Sequence, residues 1–306
     1  MARLARVKAE NSGAFYHLCG RVAGVNGEYP LNDKHVRRKL VDYIRIFSSV
    51  YCCQVLGFCI MGNHYHLVVS MDAPRSMGRK ELRERASILY KDELLDGWLA
   101  ASWLRFEARV FDVSELMRSL QSKIARWFNL THNRRGRFWA DRFKSVLLED
   151  EKAMFDCLLY VELNPVRAKI AQRPEEFDGS SLYYRELKDD KWMASLTEIT
   201  GRSKRLQALR DYKSCIYYRG SVPTKENQAA ISKRIIKEEE ARGFASKGLF
   251  VKRIRHFTDG VVIGSEAFVR EKIDRLRNAG QYLRRKNPVL HPDGMHASLR
   301  EQRKTL

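Results

Sequence analysis

Two stretches of helical periodicity separate four stretches of strand-like character, and that order restricts the fold more than any other feature of the chain. Residues 14–22 (AFYHLCGRV) alternate apolar and polar side chains, the period-2 signature of a half-buried strand. Val36, Leu40, Tyr43, Ile44 and Phe47 then share one helical face, with Asn32 or Asp33 in place to cap it. Residues 51–60 and 64–70 read as two strands around the turn residues Met61, Gly62 and Asn63. A second helix over 113–130 carries Val113, Leu116, Met117, Leu120, Ile124, Trp127 and Phe128 on one face, capped by Asp112 or Ser114. Residues 137–148 read as a strand and 150–163 as a helix that Pro165 ends. The order β-α-β-β-α-β-α predicts an α+β fold, a ferredoxin-like split βαβ core with its helices on one face of an antiparallel sheet.

The rest of the chain departs from this rhythm. Residues 72–111 hold Pro74, Gly78, dense charge, Trp98 and Trp103, and read as a helical insertion. Residues 173–190 are polar, which predicts a linker over 176–194 between a first domain (1–175) and a last region (195–306). That region reads as mostly helical. It includes one hairpin, 251–256 with 261–263 about Thr258-Asp259-Gly260, and a helix capped by Ser265 and running to Arg277.

Charge bears on function. The chain has 57 Lys and Arg against 37 Asp and Glu, a net +20. Residues 201–306 alone hold 25 basic and 11 acidic side chains. A polyanion partner follows, and the aromatic residues interleaved with arginine favour nucleic acid over an anionic membrane. Residues 230–245 make only a poor amphipathic basic helix, and no apolar run approaches 18 residues, so no membrane partner is expected. The N-terminus lacks the apolar stretch of a secretory signal, which predicts a cytoplasmic protein. Cys19, Cys52, Cys53, Cys59, Cys157 and Cys215 form no C-x-x-C pair, and in a reducing compartment they read as small buried hydrophobes.

Three motifs carry chemistry. On a strand, His64 and His66 of His64-Tyr65-His66 face the same side and can grip one divalent ion. On a helix, Tyr160 and Asn164 lie one turn apart; a phenol is a nucleophile and an amide oxygen can serve as a third ligand to a hard cation. The stretch from Asn133 to Lys144 gathers Arg134, Arg135, Arg137, Arg142 and Lys144, which suit phosphate contacts, while Phe138 and Phe143 read as core. Taken singly, each motif has an ordinary structural reading.

Taken together they resemble a known family. The pieces are Phe15-Tyr16-His17, Met61-Gly62-Asn63-His64-Tyr65-His66-Leu67, Gly136-Arg137-Phe138-Trp139 with Arg142-Phe143-Lys144-Ser145, and the tract 160–168 (YVELNPVRA), which is the most specific. Their order and spacing resemble the REP-associated tyrosine transposases, in the single-tyrosine branch of the HUH endonuclease superfamily, over residues 10–175 apart from 72–111. The resemblance implies Mg²⁺ or Mn²⁺ held by His64 and His66 with Asn164 as third ligand. It implies attack by Tyr160 on phosphorus to give a 5′-phosphotyrosine, and a substrate of single-stranded DNA beside a hairpin. The competing expectation is a domesticated hairpin DNA- or RNA-binding protein that does not cleave. Tyr65 departs from the family, where an aliphatic residue is frequent at this position. Its side chain points away from the histidines, into the core or onto a helix. His17 is a further polar group near the site, or a packing residue, and Glu162 is not a ligand. Oligomeric state is left open.

Overall fold

A computed structural model of the chain describes residues 6–9, 12–24, 29–223, 229–244, 260–280, 288–291 and 294–299. The first half follows the expected order. Strand β1 (Ala14–Arg21) leads to helix α1 (Lys34–Val50), whose N-cap Asp33 accepts from the N–H groups of His35 and Val36. Strands β2 (Cys53–Ile60) and β3 (His64–Met71) form an antiparallel hairpin. The insertion is helical: α2 (Arg79–Ser87), α3 (Asp92–Asp96) and α4 (Ala100–Val110). Helix α5 (Val113–Thr131) is capped by Asp112, and strand β4 (Lys144–Leu148) is followed by helix α6 (Glu151–Glu162), capped by Asp150. The core strands lie in the order β2-β3-β1-β4, all antiparallel, which is the ferredoxin-like arrangement.

Helices cover both faces of this sheet, not one as the sequence reading had it. Tyr16, Leu18, Tyr65, Leu67 and Val69 pack with the apolar faces of α1 and α5 in one core cluster. Val68, Val146 and Leu148 face the other way, into a second cluster with Leu158, Val161 and their neighbours on α6. A strand with apolar side chains on both faces needs both faces covered, and the run Leu67-Val68-Val69 is of that kind.

Strand β4 is also shorter than expected. Residues 137–143 form a loop tied to the end of β1: the Ala23 N–H donates to the Phe138 carbonyl at 2.8 Å, and the Ala140 N–H to that of Arg21 at 2.9 Å. Phe138 and Phe143 are an odd number of residues apart, so a regular strand would send them to opposite faces. Both are buried in the same cluster, which only an irregular path allows.

The stretch expected to be a linker is woven into the core. Helix α7 (Asn164–Arg167) follows α6, and helix α8 (Ser181–Glu186) packs at the outer edge of β2. The Ile60 N–H donates to the Gly179 carbonyl at 2.8 Å, so this segment covers an otherwise open strand edge. The fully buried Arg185 donates to the carbonyls of Leu56 (2.9 Å) and Ala194 (3.1 Å), and Leu56 sits where the β2–β3 register shifts. Polar composition here reflects a buried polar network. Beyond it come α9 (Leu196–Thr200), α10 (Arg205–Gly220), α11 (Lys233–Ala241), β5 (Gly260–Gly264), α12 (Glu266–Asn278), β6 (Val289–Leu290) and β7 (His296–Leu299). Strand β5 joins β4 in parallel and extends the sheet to seven strands, so the first domain and the last region share one sheet. Of the expected hairpin, 251–256 lies outside the described residues and 261–263 belongs to β5. Ser265 caps α12 as read.

The same network fixes α6. Glu162 is fully buried and accepts hydrogen bonds from the Ser181 hydroxyl and the Leu182 N–H. Burial above all pushes its carboxyl from 4.5 up to about 7, against the pull of those donors and of Arg185. The folded chain therefore holds this proton more tightly than the unfolded chain. Stability from Glu162 is full below about pH 4.5 and falls, by on the order of 3 kcal/mol, as pH rises through 7. Urea unfolding at pH 5 and pH 8 should show this fall in the wild type and lose most of it in Glu162→Gln.

Candidate active site

The antiparallel register of β1 and β3 assembles the site. Cys19 lies opposite His66 and Arg21 opposite His64, while β4 sets Lys144 opposite Cys19. Directly opposed residues share a face, so His17, Cys19 and Arg21 of β1 line up beside both histidines. This is the face that α6 crosses.

His66 is buried between its neighbours. Its Nδ1 is 3.0 Å from His17 Nε2 and 3.2 Å from Cys19 Sγ, and Cys19 Sγ is 3.3 Å from His17 Nε2. Its Nε2 is buried with no hydrogen-bond partner. His64 Nδ1 is 2.5 Å from the Asn63 side-chain oxygen, which fixes the ring and leaves its own Nε2 for another contact. Burial, aided by Arg21, lowers His64 to about 4, and burial with His17 and His64 holds His66 well below the ordinary imidazole value. Both imidazoles are thus neutral near pH 7, the state a metal ligand needs.

Tyr160, near the end of α6, comes to the same place. Its ring is edge-on to that of His66, with centroids 5.7 Å apart, and 6.1 Å from that of His17. Tyr160, His64, His66, Arg142, Lys144 and Asp141 line one cavity of about 440 Å³, together with Cys19, Gly20, Arg21 and Asn63.

Some expected residues lie elsewhere. Asn164 does not line this cavity. Its side-chain NH₂ donates to the carbonyls of Tyr160 and Val161, each at 3.1 Å, and so braces the junction of α6 and α7. One helical turn brought it near Tyr160 in sequence, but the helix ends there and its free carbonyls claim the amide. Arg134, Arg135 and Arg137 are exposed on the loop around Gly136 (φ +103°), outside the cavity lining. Arg21, Asp141 and Cys19 were not singled out. For Arg21 and Cys19 the signal was present, since period-2 alternation from His17 puts both on the histidine face. Cys19 is therefore more than a small buried hydrophobe.

The donors are of the kinds that bind a divalent ion. The unpartnered His66 Nε2 is a buried polar atom awaiting a ligand, and the Asp141 carboxylate in the same wall offers oxygen. His17, Cys19 and His66 also form a group able to hold a metal, their ligand atoms all within 4.8 Å of one another. A thiol and imidazoles suit softer transition ions better than magnesium, which prefers oxygen. Among the described residues no helix is long and apolar enough to cross a membrane.

No family model matches the chain, and no curated protein matches it. Among solved structures the chain is similar to a REP-associated tyrosine transposase bound to a REP hairpin, at 9% identity and a TM-score of 0.41, over 62% of this chain and 87% of that one.

Proposed function

We propose that the protein is a metal-dependent single-stranded DNA endonuclease and strand transferase, a transposase that acts beside DNA hairpins through a 5′-phosphotyrosine. The observation that carries this reading is the meeting of Tyr160 with His64 and His66 in one basic cavity. The motif order along the chain supports it independently.

His64 and His66 would hold Mn²⁺ or Mg²⁺, with Asp141 in reach of the same cavity as an oxygen donor. The ion, when bound, would polarise the scissile phosphate and stabilise charge on its oxygens. The chain's own residues do the rest. Arg21, Arg142 and Lys144 attract the DNA backbone into the cavity, and the exposed Arg134, Arg135 and Arg137 extend the basic surface along the neighbouring loop. Tyr160 supplies the nucleophile. Its Oη forms a bond to phosphorus, the bond from phosphorus to the 3′-oxygen breaks, and the phenol proton is given up as the 3′-hydroxyl gains one. Attack by a 3′-hydroxyl reverses the step, so rejoining needs no ATP.

The test is to incubate the protein with hairpin-bearing single-stranded DNA, with and without Mn²⁺, and to look for a covalent protein–DNA adduct on a denaturing gel. Tight, salt-sensitive binding with no adduct under any metal would favour the binder without cleavage. The histidines give a second check. An ordinary imidazole, with pKa about 6.5, costs metal affinity about fourfold on going from pH 8 to pH 6. The lowered values of His64 and His66 predict a nearly constant Mn²⁺ affinity across that range, measurable by calorimetry.

A further inference from the structure

The reading above leaves one guanidinium beside the nucleophile without a task. Asn164 stitches the end of α6 and opens α7, and the chain turns so that Arg167 comes back against Tyr160. The guanidinium carbon of Arg167 lies 5.7 Å from the centre of the Tyr160 ring. Its neighbour Arg219 is paired with Asp156 at 2.6 Å. Arg167 has no such partner: among the described residues no carboxylate lies within ion-pair distance of it. The groups that act on it electrostatically are the Tyr160 phenol and a second cation, Arg219. Burial first of all, and then Arg219, push it down to about 10, while Tyr160 pulls the other way.

A half-buried cation with no carboxylate partner of its own costs stability. Its counter-charge has to come from outside the fold, and it stands against the ring of Tyr160, the proposed nucleophile. We propose that Arg167 forms a phosphate-binding subsite that takes the non-bridging oxygens of the phosphodiester attacked by Tyr160 and then holds the phosphotyrosine. This rests on the reading of Tyr160 as nucleophile. A phosphorus bonded to Oη would sit beside the same ring, within the span of a long, flexible arginine side chain. A planar guanidinium fits two phosphate oxygens at once. Charge on those oxygens grows as the new bond forms, so the contact strengthens in the transition state.

The test uses the full chain and a hairpin oligonucleotide with randomised single-stranded flanks. The linkage at which the wild type forms its adduct is mapped first. That oligonucleotide is then made twice, with the natural phosphodiester and with a methylphosphonate, which lacks the charged oxygen, at the mapped linkage. Arg167→Gln should slow adduct formation about a hundredfold on the phosphodiester, and by no more than a few-fold on the methylphosphonate, with Arg167→Lys between. The melting temperature of Arg167→Met should be unchanged or higher, because an unneutralised cation is removed. Equal losses on both substrates, or a clear fall in melting temperature, would mean that Arg167 only supports the fold, and the proposal is overturned. Unaltered adduct formation in Arg167→Gln overturns it as well, with the reading of Tyr160 intact. No adduct from the wild type on any hairpin overturns both.

Discussion

Tyr160→Phe should leave no detectable covalent protein–DNA adduct, a loss of at least about 10⁴-fold, because it removes the atom that bonds to phosphorus. Hairpin binding should weaken by less than about tenfold, since the substitution deletes at most one hydrogen bond to DNA. Among the described residues no other phenol lines the cavity. Tyr65 is the nearest tyrosine in the motif, but it is fully buried on the opposite sheet face, where its hydroxyl accepts from the Gln121 side chain at 3.2 Å. An adduct that survived Tyr160→Phe would assign the nucleophile to another residue and remove the central argument for the site. Gel analysis of the adduct, with binding measured by fluorescence anisotropy on the same oligonucleotide, separates the two effects.

A second large effect should come from Gly20→Ala. Gly20 lies directly opposite Tyr65, and a methyl group there would sit 2.4 Å from a ring carbon of Tyr65. The ring cannot easily yield. It packs edge-on against Trp139, with centroids 5.5 Å apart, and Trp139 is itself held by a hydrogen bond to the Gln121 carbonyl. The expected cost is about 3 kcal/mol, typical of overpacking a rigid core. Tyr65→Leu alone should also destabilise, through the cavity it leaves. In that background, however, Gly20→Ala should cost close to nothing, since the atoms it would strike are gone. Urea unfolding of the four proteins gives the coupling directly, and simple additivity would show that the two residues do not constrain each other. The pair also accounts for an aromatic residue between the histidines: the glycine across the strand makes room for it.

Much of the fold was legible because its signals are local. Helices α1 and α5 carry their apolar stripes and acidic caps openly, and β1 to β3 show period-2 alternation around a short turn. The second helical layer was missed because a ferredoxin-like order does not say which face α6 will take. Only the unbroken Leu67-Val68-Val69 run hinted that both faces are apolar. The stretch 176–194 misled for a different reason. In the interior Ser181 donates to Glu162, and Arg185 meets Asp190 and two backbone carbonyls, and a sequence cannot distinguish a polar side chain with a buried partner from one in water. In the site, His64, His66 and Tyr160 were readable from motif spacing. The contacts of His17 and Cys19 depend on strand register, and the position of Asp141 on an irregular loop, and neither is encoded within a few residues. Asn164 was read as a ligand from its one-turn spacing to Tyr160, and its amide nitrogen braces the α6–α7 junction instead of pointing into the cavity lining.

The parallel pairing of β5 with β4 has a practical corollary. Residues 201–306 hold much of the positive charge, so shortening the chain would be the obvious way to ask what that charge does. Yet Val262 and Ile263 pair with Leu147 and Leu148, and the Ile263 carbonyl accepts from the Glu149 N–H at 3.0 Å. Truncation would strip a neighbour from the strand that carries Lys144 and expose a sticky, unpaired border prone to self-association. Loss of DNA affinity in such a fragment would report collapse next to the candidate site as readily as missing basic surface. The charge of this part of the chain is better interrogated by neutralising exposed arginines of α12, such as Arg275, in the intact protein.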